Sequence, residues 1–268
     1  MGKIRELKDL NLLDRFLFAE AAEDQEFVEL LLEIILGKDI VLKQLPQTEK
    51  EERRTIWNRQ IKLDVLATGE DDALYDTEVQ KKNTYNLPKR TRLYHSLIGS
   101  RLLHPGSIDF NEMNDVFVIM IMPFDLFGEG LYKYSFKMSC EEIPGLKLED
   151  GITTIFLNTR GKNTKGVSQE LIDLLRYFEK TTEAMVAVSN SDKLKRINSK
   201  IEDIRRNEEV GVKFMQAWEE KILDKQEAHE EGFAEGIAKT ASKMKEDNMP
   251  VETIAKYTGL SVEEIEKL

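Results

Sequence analysis

The chain has 268 residues, enough for one domain of about 150 to 200 residues with a hydrophobic core, plus an appendage. No apolar run approaches the ~20 residues that a membrane-spanning helix needs, so no membrane partner is expected. The net charge of −11 argues against non-specific nucleic-acid binding by the whole molecule. The single cysteine, Cys140, excludes a disulfide framework and favours a reducing, cytoplasmic setting.

The first half of the chain predicts a helix, a β-hairpin and a second helix. Apolar residues recur at helical spacing across residues 14–37, and Gly37 is a typical helix stop. After a polar connector, residues 56–68 and 73–80 predict two strands joined by the turn sequence "GEDD". Residues 86–103 then predict a helix with a proline in its first turn.

Three strands and a helix complete the predicted core. Residues 115–123 form a continuous apolar run, which predicts a strand covered on both faces. Residues 131–139 and 152–158 predict two further strands, and residues 168–180 predict a helix that opens at a serine cap. The order of these elements predicts a mixed α/β fold.

The composition changes near residue 190, which predicts a core over residues 1–190 and a charged helical tail over residues 191–268. An apolar seam in the tail packs either onto the core or onto another subunit, so a homo-oligomer through the tail stays open. The seam consists of Leu194, Ile197, Ile201 and Ile204. The last residues predict two short helices, the second opened by a capping box of Ser261 and Glu264. We interpret them as a helical hairpin used for packing or self-association.

The stretch "YDTEVQKKN" puts Asp76, Glu78 and Gln80 on one strand face, followed by two lysines. This face is either a solvated sheet edge or half of a metal site. If the hairpin is aligned, Asp64 on the first strand converges with Glu78 at the end of the sheet. Oxygen ligands of this kind suit Mg²⁺, which can activate water and stabilise charge on a phosphodiester.

A basic window follows this strand. Residues 80–108 contain no acidic residue but six basic ones, so the window is either a solvated helix face balanced by the acidic tail or a surface for a phosphate backbone. We favour DNA binding. The candidate contacts are Lys81, Lys82, Lys89, Arg90 and Arg92. The three histidines, His95, His104 and His229, are interpreted as structural or surface residues.

The segments "IKLDVLA" and "YDTEVQ" resemble the D…(D/E)-x-K pattern of the PD-(D/E)XK nuclease superfamily, in the branch that has Gln in place of Lys. With "LPKRTRLYHSLI", "IMPFDLFGEGLYKYSF" and "EDGITTIFLNTRG" in this order, the chain resembles the bacterial recombination-promoting nucleases, also called PD-(D/E)XK nuclease family transposases. The resemblance covers about residues 12–178, and the tail more loosely. It implies a restriction-endonuclease-like core sheet flanked by helices, with an α-helical C-terminal extension.

The resemblance also implies roles for particular residues. Asp64 and Glu78 would be ligands of Mg²⁺ or Mn²⁺, and Gln80 would stand in the place of the superfamily's catalytic lysine. Because an amide carries no charge, Gln80 can only orient water or phosphate, and the charge falls on the metal and the basic window. The candidates for a third acid are Asp14 and Glu33.

The leading hypothesis is a Mg²⁺-dependent DNA endonuclease that acts in recombination, mobile elements or defence. The alternative is a catalytically degraded module that binds DNA or self-associates. A third hypothesis keeps the enzyme but has the acidic tail cover the basic window and hold the enzyme inactive.

Overall fold

The computed structural model describes residues 6–52, 61–103, 106 and 108–268. They fall into two compact units, the first ending at Val210 and the second running from Gly211 to Leu268. The composition change near residue 190 therefore lies inside the first unit.

The first unit is built on a sheet with helices packed on it. Its strands are β1 (Gln47–Glu52), β2 (Ile61–Thr68), β3 (Leu74–Val79), β4 (Val116–Met122), β5 (Lys133–Phe136) and β6 (Ile152–Asn158). Its helices are α1 (Arg15–Ala22), α2 (Gln25–Leu36), α3 (Leu87–Gly99), α4 (Gln169–Glu179), α5 (Glu183–Ala187) and α6 (Asp192–Arg206). Helix α7 (Glu208–Glu246) leads into the second unit, which ends with α8 (Val251–Thr258) and α9 (Val262–Lys267).

The six strands lie in the order β1-β2-β3-β4-β6-β5. Strands β3, β4 and β6 run parallel to one another, and β1 with β2, β2 with β3, and β5 with β6 pair antiparallel. The predicted mixed α/β fold is confirmed. Strand β3 is an inner strand, with Asp76 and Glu78 both 0% exposed. The interpretation of this face as a solvated sheet edge is therefore wrong.

The predicted helix over residues 14–37 is two helices. Asp24 ends the continuity because its carboxylate accepts from Phe27 N at 3.0 Å and caps α2. Gly37 ends α2 in the left-handed conformation, as expected. The polar connector contains β1, whose charged sequence gives no strand pattern, and residues 56–60 of the first predicted strand lie outside the described residues.

The seam of the predicted tail packs within the first unit. Leu194, Ile197 and Ile201 of α6 are fully buried, and α6 packs against α1, α2 and α4. Lys200 of α6 also pairs with Asp24 at 2.7 Å. Burial of three large apolar side chains accounts for this packing without a second subunit.

The second unit has a small core of its own, formed by Ala241, Ile254 and Ile265. Its last helix carries the predicted capping box, in which Ser261 N donates to Glu264 Oε2 at 2.8 Å and Glu264 N donates to Ser261 Oγ at 3.3 Å. Within the described parts of the chain, no helix combines the length and the apolar character that a membrane crossing requires.

The connection between β4 and β5 is organised by one carboxylate. Asp125 accepts hydrogen bonds from three backbone N–H groups and from the Tyr134 hydroxyl, at 2.6 to 3.1 Å. Gly161, just after β6, lies against the backbone and ring of Tyr132. These contacts fix the loops at one end of the parallel strands.

We expect Gly161→Ala to destabilise the first unit by about 1–3 kcal/mol, because the new methyl group would overpack this junction. Its Cβ would lie 2.5 Å from Tyr132 Cγ and 2.8 Å from Tyr132 Cα. Urea unfolding measures the change. Gly99→Ala is the matched control, since the nearest atom would be Met113 Cε at 3.9 Å. Equal stability of the two variants would contradict this account.

Candidate active site

Two buried carboxylates face each other across β2 and β3. The register pairs Val65 with Thr77, and its continuation sets Asp64 opposite Glu78. Each side chain accepts a hydrogen bond from the backbone of the facing strand. Asp64 N donates to Glu78 Oε1 at 2.8 Å, and Val79 N donates to Asp64 Oδ2 at 3.2 Å. Asp64 is 3% exposed. The structure thus brings together the two carboxylates that the sequence singled out.

Each carboxylate is paired with a guanidinium group from a helix. Arg15, the first residue of α1, places Nη2 2.7 Å from Asp64 Oδ1. Arg90 of α3 places Nη2 2.8 Å from Glu78 Oε2. These cations offset a desolvation cost that buried, unpaired carboxylates would otherwise impose.

Gln80 binds Arg90 rather than an acid. Its Oε1 accepts from Arg90 Nη1 at 2.7 Å, and its Nε2 donates to Lys82 O at 2.6 Å. Arg90 Nε donates to the Tyr94 hydroxyl, and the guanidinium carbon lies 5.2 Å from the centroid of that ring. A carboxylate, an amide and a phenol therefore fix the guanidinium group at the end of β3.

Burial governs the titration of these acids. Burial, and then the Asp64 carboxylate, raise the pKa of Glu78 to about 7, although the Asp64 N–H and Arg90 act in the opposite direction. Burial, followed by the Glu78 and Asp64 carboxylates, raises the pKa of Asp76 well above its usual range. Within the described part of the chain, neither carboxylate oxygen of Asp76 has a hydrogen-bond partner.

The two candidates for a third acid are already paired. Asp14 caps α1 by accepting from Phe16 N at 3.2 Å, and its other oxygen lies 2.7 Å from Lys81 Nζ. Glu33 accepts from Ile40 N at 3.3 Å and pairs with Lys193 at 3.0 Å. The partners of Glu33 are not residues of the carboxylate pair.

The basic window divides into two groups. Two of the candidate contacts form ion pairs: Arg90 with Glu78, and Lys81 with Asp14. Lys82, Lys89 and Arg92 are exposed. These three side chains are accessible to solvent.

A groove of about 410 Å³ opens where the parallel strands end. Lys81, Pro123 and Arg160, which line it, follow β3, β4 and β6 respectively. The crevice at the carboxyl ends of parallel strands is a common place for ligands in α/β proteins. Asp14 and Lys81, which pair with each other, line this groove, but Asp64 and Glu78 do not.

His95 lies apart from this chemistry. Its Nε2 is 2.9 Å from Thr154 Oγ1, and burial lowers the pKa of the ring to about 4. The ring is therefore neutral at physiological pH and packs between α3 and β6.

Three residues of the site were not identified from the sequence as part of it: Arg15, Tyr94 and Asp76. Arg15 follows a helix cap, and nothing in its neighbourhood indicates a partner on β2. Tyr94 packs with buried apolar residues, and its hydroxyl lies 3.4 Å from Glu78 Oε2. The alternation of the strand placed Asp76 on the same face as Glu78, but the sequence analysis gave Asp76 no role in the site.

In the described stretches of the chain, no three acidic, histidine or cysteine side chains are arranged as a ready-made metal site. The carboxylate pair has only oxygen donors, and its two guanidinium partners already balance its charge with cations. Carboxylate oxygens are the ligands that a hard divalent cation prefers, so Asp64 and Glu78 fit such an ion.

The comparison with protein families gave one match. A family model described as PD-(D/E)XK nuclease family transposase matches residues 14–232. The match spans Asp64, Glu78, Gln80 and all of α3. Comparisons with curated proteins and with solved structures gave no match.

We expect the stability of the metal-free protein to fall as pH rises from about 4.5 to about 7. The unfolded chain releases the Glu78 proton near 4.5, whereas the folded chain retains it up to about 7. This contribution is therefore fully present below 4.5 and lost as pH rises through the folded pKa. Urea unfolding in EDTA measures it across the interval, and Glu78→Gln, which cannot ionise, is the matched control. The same pH dependence in both proteins would contradict the assignment.

Proposed function

The chain belongs to the PD-(D/E)XK nuclease family transposases, and from that premise we propose that it is a metal-dependent DNA endonuclease. The family supports a nuclease-like role linked to mobile elements. The observation that carries the proposal is the buried carboxylate pair on β2 and β3, in which each acid pairs with a guanidinium group. Exposed lysines and an arginine on and before α3 would receive the DNA backbone.

Asp64 and Glu78 would hold Mg²⁺ or Mn²⁺ through their carboxylate oxygens. When bound, such an ion supplies Lewis-acid polarisation of a phosphoryl oxygen and a water of lowered pKa. Arg15 and Arg90 now occupy the outer oxygens of the pair. Both arginines lie on helices rather than on the sheet, so a shift of either side chain would leave the strand register unchanged.

Arg90 is the best candidate for the positive charge that Gln80 cannot supply. Lys81 is engaged by Asp14, and Lys82, Lys89 and Arg92 are exposed. Arg90 is held beside the acids by Gln80 and Tyr94, so its direction is set before substrate arrives. Its fork of N–H groups can bind a non-bridging phosphate oxygen while one arm stays on Gln80.

The remaining residues bind and orient. Gln80 would keep Arg90 aimed at the phosphate, and Tyr94 would limit the rotation of the guanidinium group. Lys82, Lys89 and Arg92 would neutralise phosphates flanking the scissile one, which makes affinity dependent on salt. A water molecule would attack the phosphorus and give up a proton to solvent, the bond to one ester oxygen would break, and that departing oxygen would take up a proton.

We expect Asp64→Asn to lower Mg²⁺-dependent cleavage of plasmid DNA by more than about 100-fold, because it removes one charged metal ligand. Asp72→Asn is the matched control: Asp72 lies in the neighbouring turn with φ 63°, a conformation that asparagine tolerates. The assay follows nicked and linear products in Mg²⁺, Mn²⁺ and EDTA.

Equal cleavage by wild type and Asp64→Asn would end the proposal. The alternative function, a DNA-binding module with a degraded site, predicts a different pattern. In that case the wild type binds DNA but does not cut it, and Asp64→Asn leaves the affinity unchanged.

We expect Arg90→Gln to lower kcat by more than about 100-fold while the Kd for DNA changes only a few-fold. Arg92→Gln, two residues along the same helix, should instead weaken DNA binding and lower the salt slope by about 1, with kcat unchanged. Single-turnover cleavage and fluorescence anisotropy separate the two effects. If both variants change only the Kd, Arg90 is a backbone contact and not the transition-state charge.

A further inference from the structure

Asp76 is the one acid of the candidate active site without a partner among the described residues. It is 0% exposed, and both carboxylate oxygens lack a hydrogen-bond donor. Its ladder neighbours on β2 and β4 are Leu66 and Val118, which are apolar. A carboxylate in such a place is costly unless a donor or a cation reaches it.

The charged groups that act on Asp76 all belong to the site. They are the Glu78 and Asp64 carboxylates and the Arg90 guanidinium. Asp76 and Glu78 alternate on one strand and point to the same face of the sheet, which α3 covers. The side chain therefore lies on the same face of the sheet as the Glu78 side chain.

Asp76 stands outside the ion pairs described for the site. Arg15 pairs with Asp64 and Arg90 pairs with Glu78, whereas among the described residues neither oxygen of Asp76 has a hydrogen-bond partner. The other two acids considered for the site are already neutralised by lysines, at 2.7 Å for Asp14 and 3.0 Å for Glu33. Among the described acids considered for the site, Asp76 is the one whose carboxylate oxygens have no hydrogen-bond partner.

We propose that Asp76 is the third acid of the site and that its missing partner is the divalent cation, which it would reach through one of the ion's waters. The inference rests on the proposed function and names a ligand of that same site. Hard cations such as Mg²⁺ keep several waters and bind through few carboxylates, so a buried acid behind the pair can act through a water. Asp76 then has a role that neither Asp14 nor Glu33 can take without breaking an ion pair.

The test is binding of Mn²⁺ alone to the full chain, measured by isothermal titration calorimetry and by the metal-induced shift in melting temperature. Asp76→Asn should weaken Mn²⁺ binding about 10- to 100-fold and reduce the thermal shift. In the absence of metal the variant should melt at or above the wild-type temperature, because it no longer buries an ionisable group at position 76. Glu33→Gln is the matched control and should leave the Mn²⁺ affinity unchanged.

The outcomes separate this inference from the proposed function. If wild type and Asp76→Asn bind Mn²⁺ equally while Asp64→Asn does not bind, Asp76 is not a ligand and the metal-dependent function stands. If the wild type binds no Mn²⁺, the metal-dependent function itself fails. If Asp76→Asn does not fold, Asp76→Ser, which is smaller, should show the same loss of Mn²⁺ binding. A purely structural Asp76 would instead lower the metal-free melting temperature and leave the Mn²⁺ shift intact.

Discussion

The antiparallel register of β2 against β3 is the constraint on which the site depends. It puts Asp64 opposite Glu78 and lets each side chain reach a backbone N–H on the facing strand, Asp64 N for Glu78 and Val79 N for Asp64. A slip of one residue would turn one carboxylate to the other face of the sheet and separate the pair. The two hydrogen bonds that these side chains accept therefore both join β2 to β3 and hold the acids in place.

Burial of the pair then dictates what surrounds it. Two carboxylates taken out of water need cations. Among the described residues, helices supply them, one guanidinium group from α1 and one from α3. Asp14 caps α1, so Arg15 is the first residue of the helix, where it pairs with Asp64. Tyr94 lies one turn after Arg90 on α3, and its hydroxyl accepts a hydrogen bond from Arg90. Caps and packing that look like ordinary helix features thus determine the electrostatics of the site.

The sequence predicted the parts of this arrangement that are local. The hairpin with its "GEDD" turn and the mixed α/β class are confirmed, and so is the family, because each depends on short patterns in a fixed order. The roles of Asp64, Glu78 and Gln80 stay predictions. The break at Asp24, strand β1 and the partner of Arg15 were missed, since each is decided by contacts between distant segments. Asp76 was seen on the right face, but its burial depends on β4, which joins β3 from far along the chain.

If Gln80 stands in the place of the superfamily's catalytic lysine, as the resemblance implies, positive charge must come from elsewhere. A lysine on β3 would carry its charge on the same strand as the acid. Here the strand provides only an amide, and the charge arrives on α3, through the contact between Gln80 Oε1 and Arg90 Nη1. The site is therefore complete only when α3 is docked on the sheet, and its charge is set by tertiary packing rather than by one strand. An amide suits this arrangement better than a second cation would, because it accepts the guanidinium N–H that a lysine would repel.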